Sequence, residues 1–226
     1  FAIGQELGDA IKGRPTGRPV KLLVGIPEVI PKYIAFRLIE PVLHLEEKVQ
    51  IVCREGSMEQ LLSQLATHEL DVVFSDSPAG SMVRIRAFNH ALGECGVGLF
   101  GTAQLCRQFE QGLPGSLSSA PFLLPAENTA MRRSVDEWFL AANISPEVVG
   151  EFDDTALLKV FAEAGIGFVP GPLAIRAEIE RQFGLSFLLE IPNAIERFYA
   201  ITVERRIRHP AVMAISEAAK ESLFAQ

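Results

Sequence analysis

EGSMEQLLSQLATHELDVVFSD, residues 55–76, reads as a turn, a helix and a strand in succession, and it decides the fold class. Gly56 permits a tight turn, and Ser57 stands where a helix N-cap belongs. Met58, Leu61, Leu62 and Leu65 then recur at helical spacing on one face. LDVVFS (70–75) follows as a short continuous apolar run, the pattern of a strand covered on both faces.

The same alternation extends upstream. VQIVCR (49–54) and VKLLVGI (20–26) read as strands. Between them, residues 29–45 carry Ile30, Tyr33, Ile34, Leu38 and Val42 at helical spacing, with Pro41 expected to kink or end the helix. Strand, helix, strand, helix, strand implies a parallel sheet with right-handed crossovers. Ahead of it, GRPTGRP (13–19) is linker punctuation, and residues 1–12 read as the tail of a helix.

Downstream, residues 83–100 are extended but interrupted by Asn89, His90 and Gly93, which suits a strand passing from one lobe to another. A second α/β series follows: helix 102–111, strand 121–124, helix 129–141, strand 147–152, helix 154–163, strand 166–169, helix 172–182 and strand 186–191. Residues 194–203 form a second long extended segment, and 209–224 the last helix, with Pro210 in its first turn. Two α/β units joined by two extended crossings imply a hinged, two-lobed sensor, with the last strand and helix returning to the first lobe.

Composition narrows the function. The formal net charge of −7 argues against nucleic-acid binding by this segment alone, because affinity for DNA rests on Lys and Arg neutralising phosphates. No run approaches the roughly 18 apolar residues of a membrane span, and no signal peptide is visible. Cys53, Cys95 and Cys106 form no CxxC pair and read as reduced thiols of a cytoplasmic protein. His44, His68 and His209 show no metal-site spacing; His90, near the first crossing, is a surface or hydrogen-bonded histidine or a pH reporter. There is no Gly-x-Ser-x-Gly elbow, P-loop or His-Glu-x-x-His, and Gly165-Ile166-Gly167 lacks the third glycine of a dinucleotide fingerprint. Neither an enzyme nor a cofactor is expected.

In this order and spacing, residues 55–76, GEFDDTALLKVFAEAGIGFVP (150–170), VKLLVGI near the start and RRIRHPAVMAI (205–215) near the end resemble the effector-binding domain of LysR-type transcription regulators. The resemblance spans roughly residues 1–224. GECGV (93–97), GEFDD (150–154) and RHPAV (208–212) look most like a branch that controls a sodium/proton antiporter gene and responds to sodium and pH. It implies two Rossmann-like lobes joined by two crossing strands, a periplasmic-binding-protein type II-like α/β fold. Lobe I would comprise 20–88 plus 194–226, lobe II 89–193, and 1–19 the end of a linker helix and linker. The family's winged helix-turn-helix is expected to be absent from this chain, so that DNA is reached only through that missing domain. The resemblance further implies a small-molecule or ion effector and a homodimer or tetramer. The rival reading is a periplasmic solute-binding protein, which shares the architecture.

Open α/β sheets bind ligands where strands end and helices begin. The candidate cleft residues are therefore Pro27, Glu28 and Val29; Gly56 and Ser57; Thr102; Ala126, Asn128 and Thr129; Phe152 and Asp153; Phe168 and Pro170. Glu28 at a helix start would repel an anionic ligand, or simply cap the helix dipole. Glu55, Asp76, Glu151, Asp153 and Asp154 also fall near strand ends. If several converge, their oxygens favour a hard cation, with Glu28, Asp76 and Asp153 the candidates; the plainer reading has Asp153 cap its helix.

Overall fold

A computed structural model describes residues 20–80, 87–127, 129–207 and 209–224. The expected helix tail and linker, the start of the 83–100 segment and Asn128 lie outside these residues. In the first lobe, β1 (Val20–Pro27) lies between β2 (Val49–Gly56) and β3 (Val72–Ser75). It pairs in parallel with both, Val24 standing opposite Cys53 on one side and Val72 on the other. All four β3 residues are buried, as the apolar run requires.

The helix between β2 and β3, α2 (Met58–Ala66), opens with a full capping box: Ser57 Oγ accepts from the Gln60 amide, and Gln60 Oε1 accepts from the Ser57 amide. The helix expected over 29–45 is shorter. A proline fits a helix only at its first turn, so the chain turns through Pro27 to Ile30, and α1 (Lys32–Ile39) begins after Pro31. Pro41 then sits in a 3-10 turn, Glu40–His44.

Two long strands, β4 (Phe88–Thr102) and β8 (Leu185–Thr202), cross between the lobes as an antiparallel pair. Asn89, His90 and Gly93 bend β4 without breaking it, the register slipping between Ala91 and Gly93. The two extended segments expected over 186–191 and 194–203 are one strand. Gly96 pairs with Ile195 but Gly98 with Glu190, so the residues around Pro192 and Asn193 bulge out, Asn193 with φ 61°. The sheet order is β2-β1-β3-β8-β4-β7, where β7 is Val169–Pro172 and runs antiparallel to β4.

The second lobe adds β5 (Pro121–Pro125) and β6 (Glu147–Phe152), parallel to each other and joined towards β7 by a parallel bridge from Phe122 to Phe168. Around them stand α3 (Ala103–Phe109), α4 (Ala130–Ala141), α5 (Thr155–Glu163) and α6 (Arg176–Phe183). The last helix, α7 (Pro210–Ala218), returns to the first lobe and ends in a π turn, Ala219–Leu223. The Phe224 ring beyond it stacks on Phe198 of β8. A Cβ on Gly93 would come within 2.4 Å of Phe224, so the glycine is needed for this close approach.

Apolar packing fills both lobes. In the second, the fully buried Phe122 ring meets Phe139 edge-on at 4.9 Å and Phe168 at 5.9 Å. Removing it opens a cavity that three elements cannot collapse into. Phe122→Ala is expected to lower the unfolding free energy by about 3–5 kcal/mol in urea denaturation. A loss under about 1 kcal/mol would mean that this aromatic cluster is not tightly packed.

Candidate effector-binding cleft

Because β1, β2 and β3 run in parallel, their C-terminal ends lie along one edge of the first lobe, and β5 and β6 present theirs in the second. The turns at these ends enclose a cavity of about 330 Å³ lined by Pro27, Glu28 and Val29, by Gly56, Ser57 and Met58, by Asp76 and Ser77, and by Thr129 and Asp153. Seven of these ten, all but Met58, Asp76 and Ser77, belong to the cleft set expected from the sequence, and Asp76 was a cation candidate. Ala126 and Phe152 line an adjoining depression with Glu127, Glu151 and, again, Asp153.

Thr102, Phe168 and Pro170 line neither. β4 runs antiparallel to β7, so its C-terminal end lies at the far edge of the sheet, where Thr102 caps α3 by accepting from the Leu105 amide at 3.3 Å. Phe168 and Pro170 are in the core because the strand there continues to Pro172.

The acidic residues take different roles. Glu28 is exposed in the turn before α1, which has no acidic residue in its first turn and no side-chain cap; it is not a dipole cap. Asp154, not Asp153, caps α5 by accepting from the Ala156 amide at 2.7 Å, which leaves Asp153 exposed towards the cavity. Glu28, Asp76 and Asp153 thus line one cavity, but among the described residues no three acidic, His or Cys side chains are grouped closely enough to hold a metal ion.

Asp76 links the lobes. It follows β3 of the first lobe, is 8% exposed, and its Oδ2 accepts from the Ala130 amide at the start of α4, at 3.2 Å. Its Oδ1 accepts from the Ser77 hydroxyl at 3.1 Å. The protein's own carboxylate therefore occupies the helix N-terminus where an anionic ligand would otherwise be held. On the α4 side, Thr129 caps the helix through the Arg132 amide at 3.1 Å. The buried Arg132 guanidinium holds the β5 and β6 ends together, donating to Pro125 O at 3.1 Å and Glu151 at 2.8 Å. It also makes two 3.0 Å bonds to Asp136.

Beneath the cleft lie two charged side chains that sequence reasoning missed, Glu196 of β8 and Lys159 of α5, 2% and 5% exposed. Signals for both were present. Positions 194, 196, 198 and 200 alternate on the buried face of β8, and 155, 158, 159 and 162 share the buried face of α5. Burial, reinforced by the charge of Asp76, pushes the Glu196 carboxyl up to about 8, against the opposing pull of Lys159. Burial pushes the Lys159 ammonium down to about 8, against Glu196 and Asp154. His90, near the first crossing, is bonded through Nε2 to Thr202 Oγ1 at 2.9 Å.

Glu196 makes stability depend on pH. An unfolded Glu ionises near 4.5, whereas the folded chain keeps this proton until about 8. The stability that Glu196 contributes is complete below the unfolded value and is lost as pH rises towards the folded one. Glu196→Gln cannot ionise, so its melting temperature relative to the parent chain is expected to climb steadily from pH 5 to pH 8. A difference that stays constant over that window would show that Glu196 is ionised in the folded state.

The LysR substrate binding domain family model matches residues 17–223. The transcriptional activator protein NhaR of Escherichia coli (strain K12) is 28% identical over 224 residues, which cover 99% of this chain and 73% of NhaR. Among solved structures, full-length CbnR in complex with its target DNA superposes with a TM-score of 0.69 at 15% identity, covering 98% of this chain and 76% of CbnR. The effector-binding domain of QuiR, in complex with shikimate, superposes with a TM-score of 0.64 at 12% identity, covering 89% and 96%. Both share the two-lobed fold. Among the described residues no helix is long and apolar enough to cross a membrane. The chain belongs to the LysR family, as the effector-binding domain of a transcription regulator and not as an enzyme.

Proposed function

We propose that this chain is the sensor of a cytoplasmic, homodimeric, DNA-binding regulator and that its effector is a small cation held in the cleft between lobes. The two moving units are residues 20–88 with 194–226, and 89–193. One observation carries the choice of ligand: three carboxylates (Glu28, Asp76, Asp153) and three hydroxyls (Ser57, Ser77, Thr129) line the cavity, and among the described residues no Lys or Arg does. Such an oxygen-rich, negatively charged wall suits a hard cation that keeps part of its water shell. An organic acid would meet repulsion from Glu28 and find the α4 N-terminus already taken by Asp76. The resemblance of 93–97, 150–154 and 208–212 to a sodium-responsive branch of the family supports the same reading. A cation binding both walls would favour the closed arrangement only to the extent that it binds that arrangement more tightly.

Backbone NMR during addition of sodium chloride, with potassium chloride as the ionic-strength control, tests this. Sodium is expected to move the amides of Glu28, Ser57, Ser77 and Asp153 in a saturable way, and Asp76→Asn to weaken the response by about tenfold. Identical effects of the two salts, or shifts spread over the surface, would overturn the cation reading. Sedimentation at neutral pH is expected to show a homodimer; a monomer at every concentration would remove that part of the proposal.

A further inference from the structure

A second cavity, of about 250 Å³, lies between α1 of the first lobe and α5 and α6 of the second. It shares no lining residue with the acidic cleft. Its walls are mainly apolar: Tyr33 and Phe36 from one lobe, and Ile175, Ile179 and Phe183 from the other. The same two helices, α1 and α6, are joined by an ion pair between Arg37 and Glu178 at 2.9 Å.

Two polar residues on the α5 side also line it, Thr155 and Lys159, 8% and 5% exposed. Thr155 Oγ1 is buried with no hydrogen-bond partner among the described residues. The Lys159 ammonium has three donors, and the bond to Thr155 O at 3.0 Å uses one of them. None of the ion pairs among the described residues includes Lys159. The two carboxylates that act on it, Glu196 and Asp154, form no ion pair with it among the described residues, and Asp154 accepts from the Ala156 amide. A buried ammonium without a direct ion-pair partner is costly, as is a buried hydroxyl without a hydrogen-bond partner. Both occur at the border of one apolar cavity.

We propose that this cavity is a second ligand site, which takes a small organic anion: a carboxylate on an apolar body the size of one ring. The carboxylate binds the Lys159 ammonium and the Thr155 hydroxyl, and the ring lies among Tyr33, Phe36, Ile179 and Phe183. The volume is just below the range of about 300–1,000 Å³ typical of drug-sized pockets, which limits the ligand to about ten heavy atoms. Both lobes supply its walls, so its occupant favours their closed arrangement independently of any cation in the acidic cleft.

The test is calorimetry and backbone NMR on the whole chain at neutral pH, with phenylacetate as probe and uncharged 2-phenylethanol as its isostere. Phenylacetate is expected to bind saturably with shifts at Tyr33, Thr155 and Ile179, and the alcohol at least about tenfold more weakly. Lys159→Met, of similar length and without charge, is expected to remove that preference. Ile179→Trp, which fills the cavity, is expected to abolish binding of both compounds and serves if the first variant does not fold. Shifts at Tyr33, Thr155 and Ile179 without shifts at Glu28 and Asp153 separate this site from the acidic cleft. Equal affinity for acid and alcohol, unchanged binding in the Lys159 or Ile179 variant, shifts confined to Glu28 and Asp153, or no saturable binding would each overturn the proposal.

Discussion

β4 and β8 lie side by side in antiparallel pairing from Phe88 opposite Thr202 to Thr102 opposite Leu185, and the rest of the molecule is arranged by that ladder. One end of it carries the first lobe, through β3 against Ser75 to Val73 partners on β8; the other carries β7 and, through Phe168, the second-lobe strands. Lobes built on a shared pair of strands cannot separate, yet they can bend where the ladder is imperfect. The imperfections lie at Ala91 to Gly93, around Pro192 and Asn193, and between Leu99 and Phe100.

What sits on that ladder explains the chemistry above it. Glu196 is on the inward face of β8, and Asp76 leaves the end of β3, the strand paired with β8. With Glu28 and Asp153, Asp76 makes a negative, oxygen-lined wall on one flank. On the other flank, Lys159 of α5 is buried, and no ion pair among the described residues includes it. The two flanks therefore differ in sign although they are built from the same two lobes.

Much of this was legible in the residues. The strand and helix order, the capping box at Ser57 and Gln60, the two crossings and seven of the cleft residues follow from local periodicity and from the rule that ligands meet parallel strands at their C-terminal ends. That rule failed at Thr102, because nothing local says that β4 runs antiparallel to its neighbours. It failed at Phe168 and Pro170 because an apolar strand does not declare its last residue. Only the capping alternative weighed for Glu28 and Asp153 fails, by offsets of a few residues, the distance over which Pro31 and Asp154 decide where each helix starts.

The sequence by itself determined which segments are strands and helices, since that depends on spacing, turn residues and caps acting within a few positions along the chain. It also determined membership of a sensor fold, because the motifs keep one order over nearly the whole length. Only the tertiary structure decided which charges are buried together. Asp76, Lys159 and Glu196 are far apart in sequence, and their meeting depends on how two lobes pack across a shared ladder. The desolvation that shifts Lys159 and Glu196 exists only once that packing has formed.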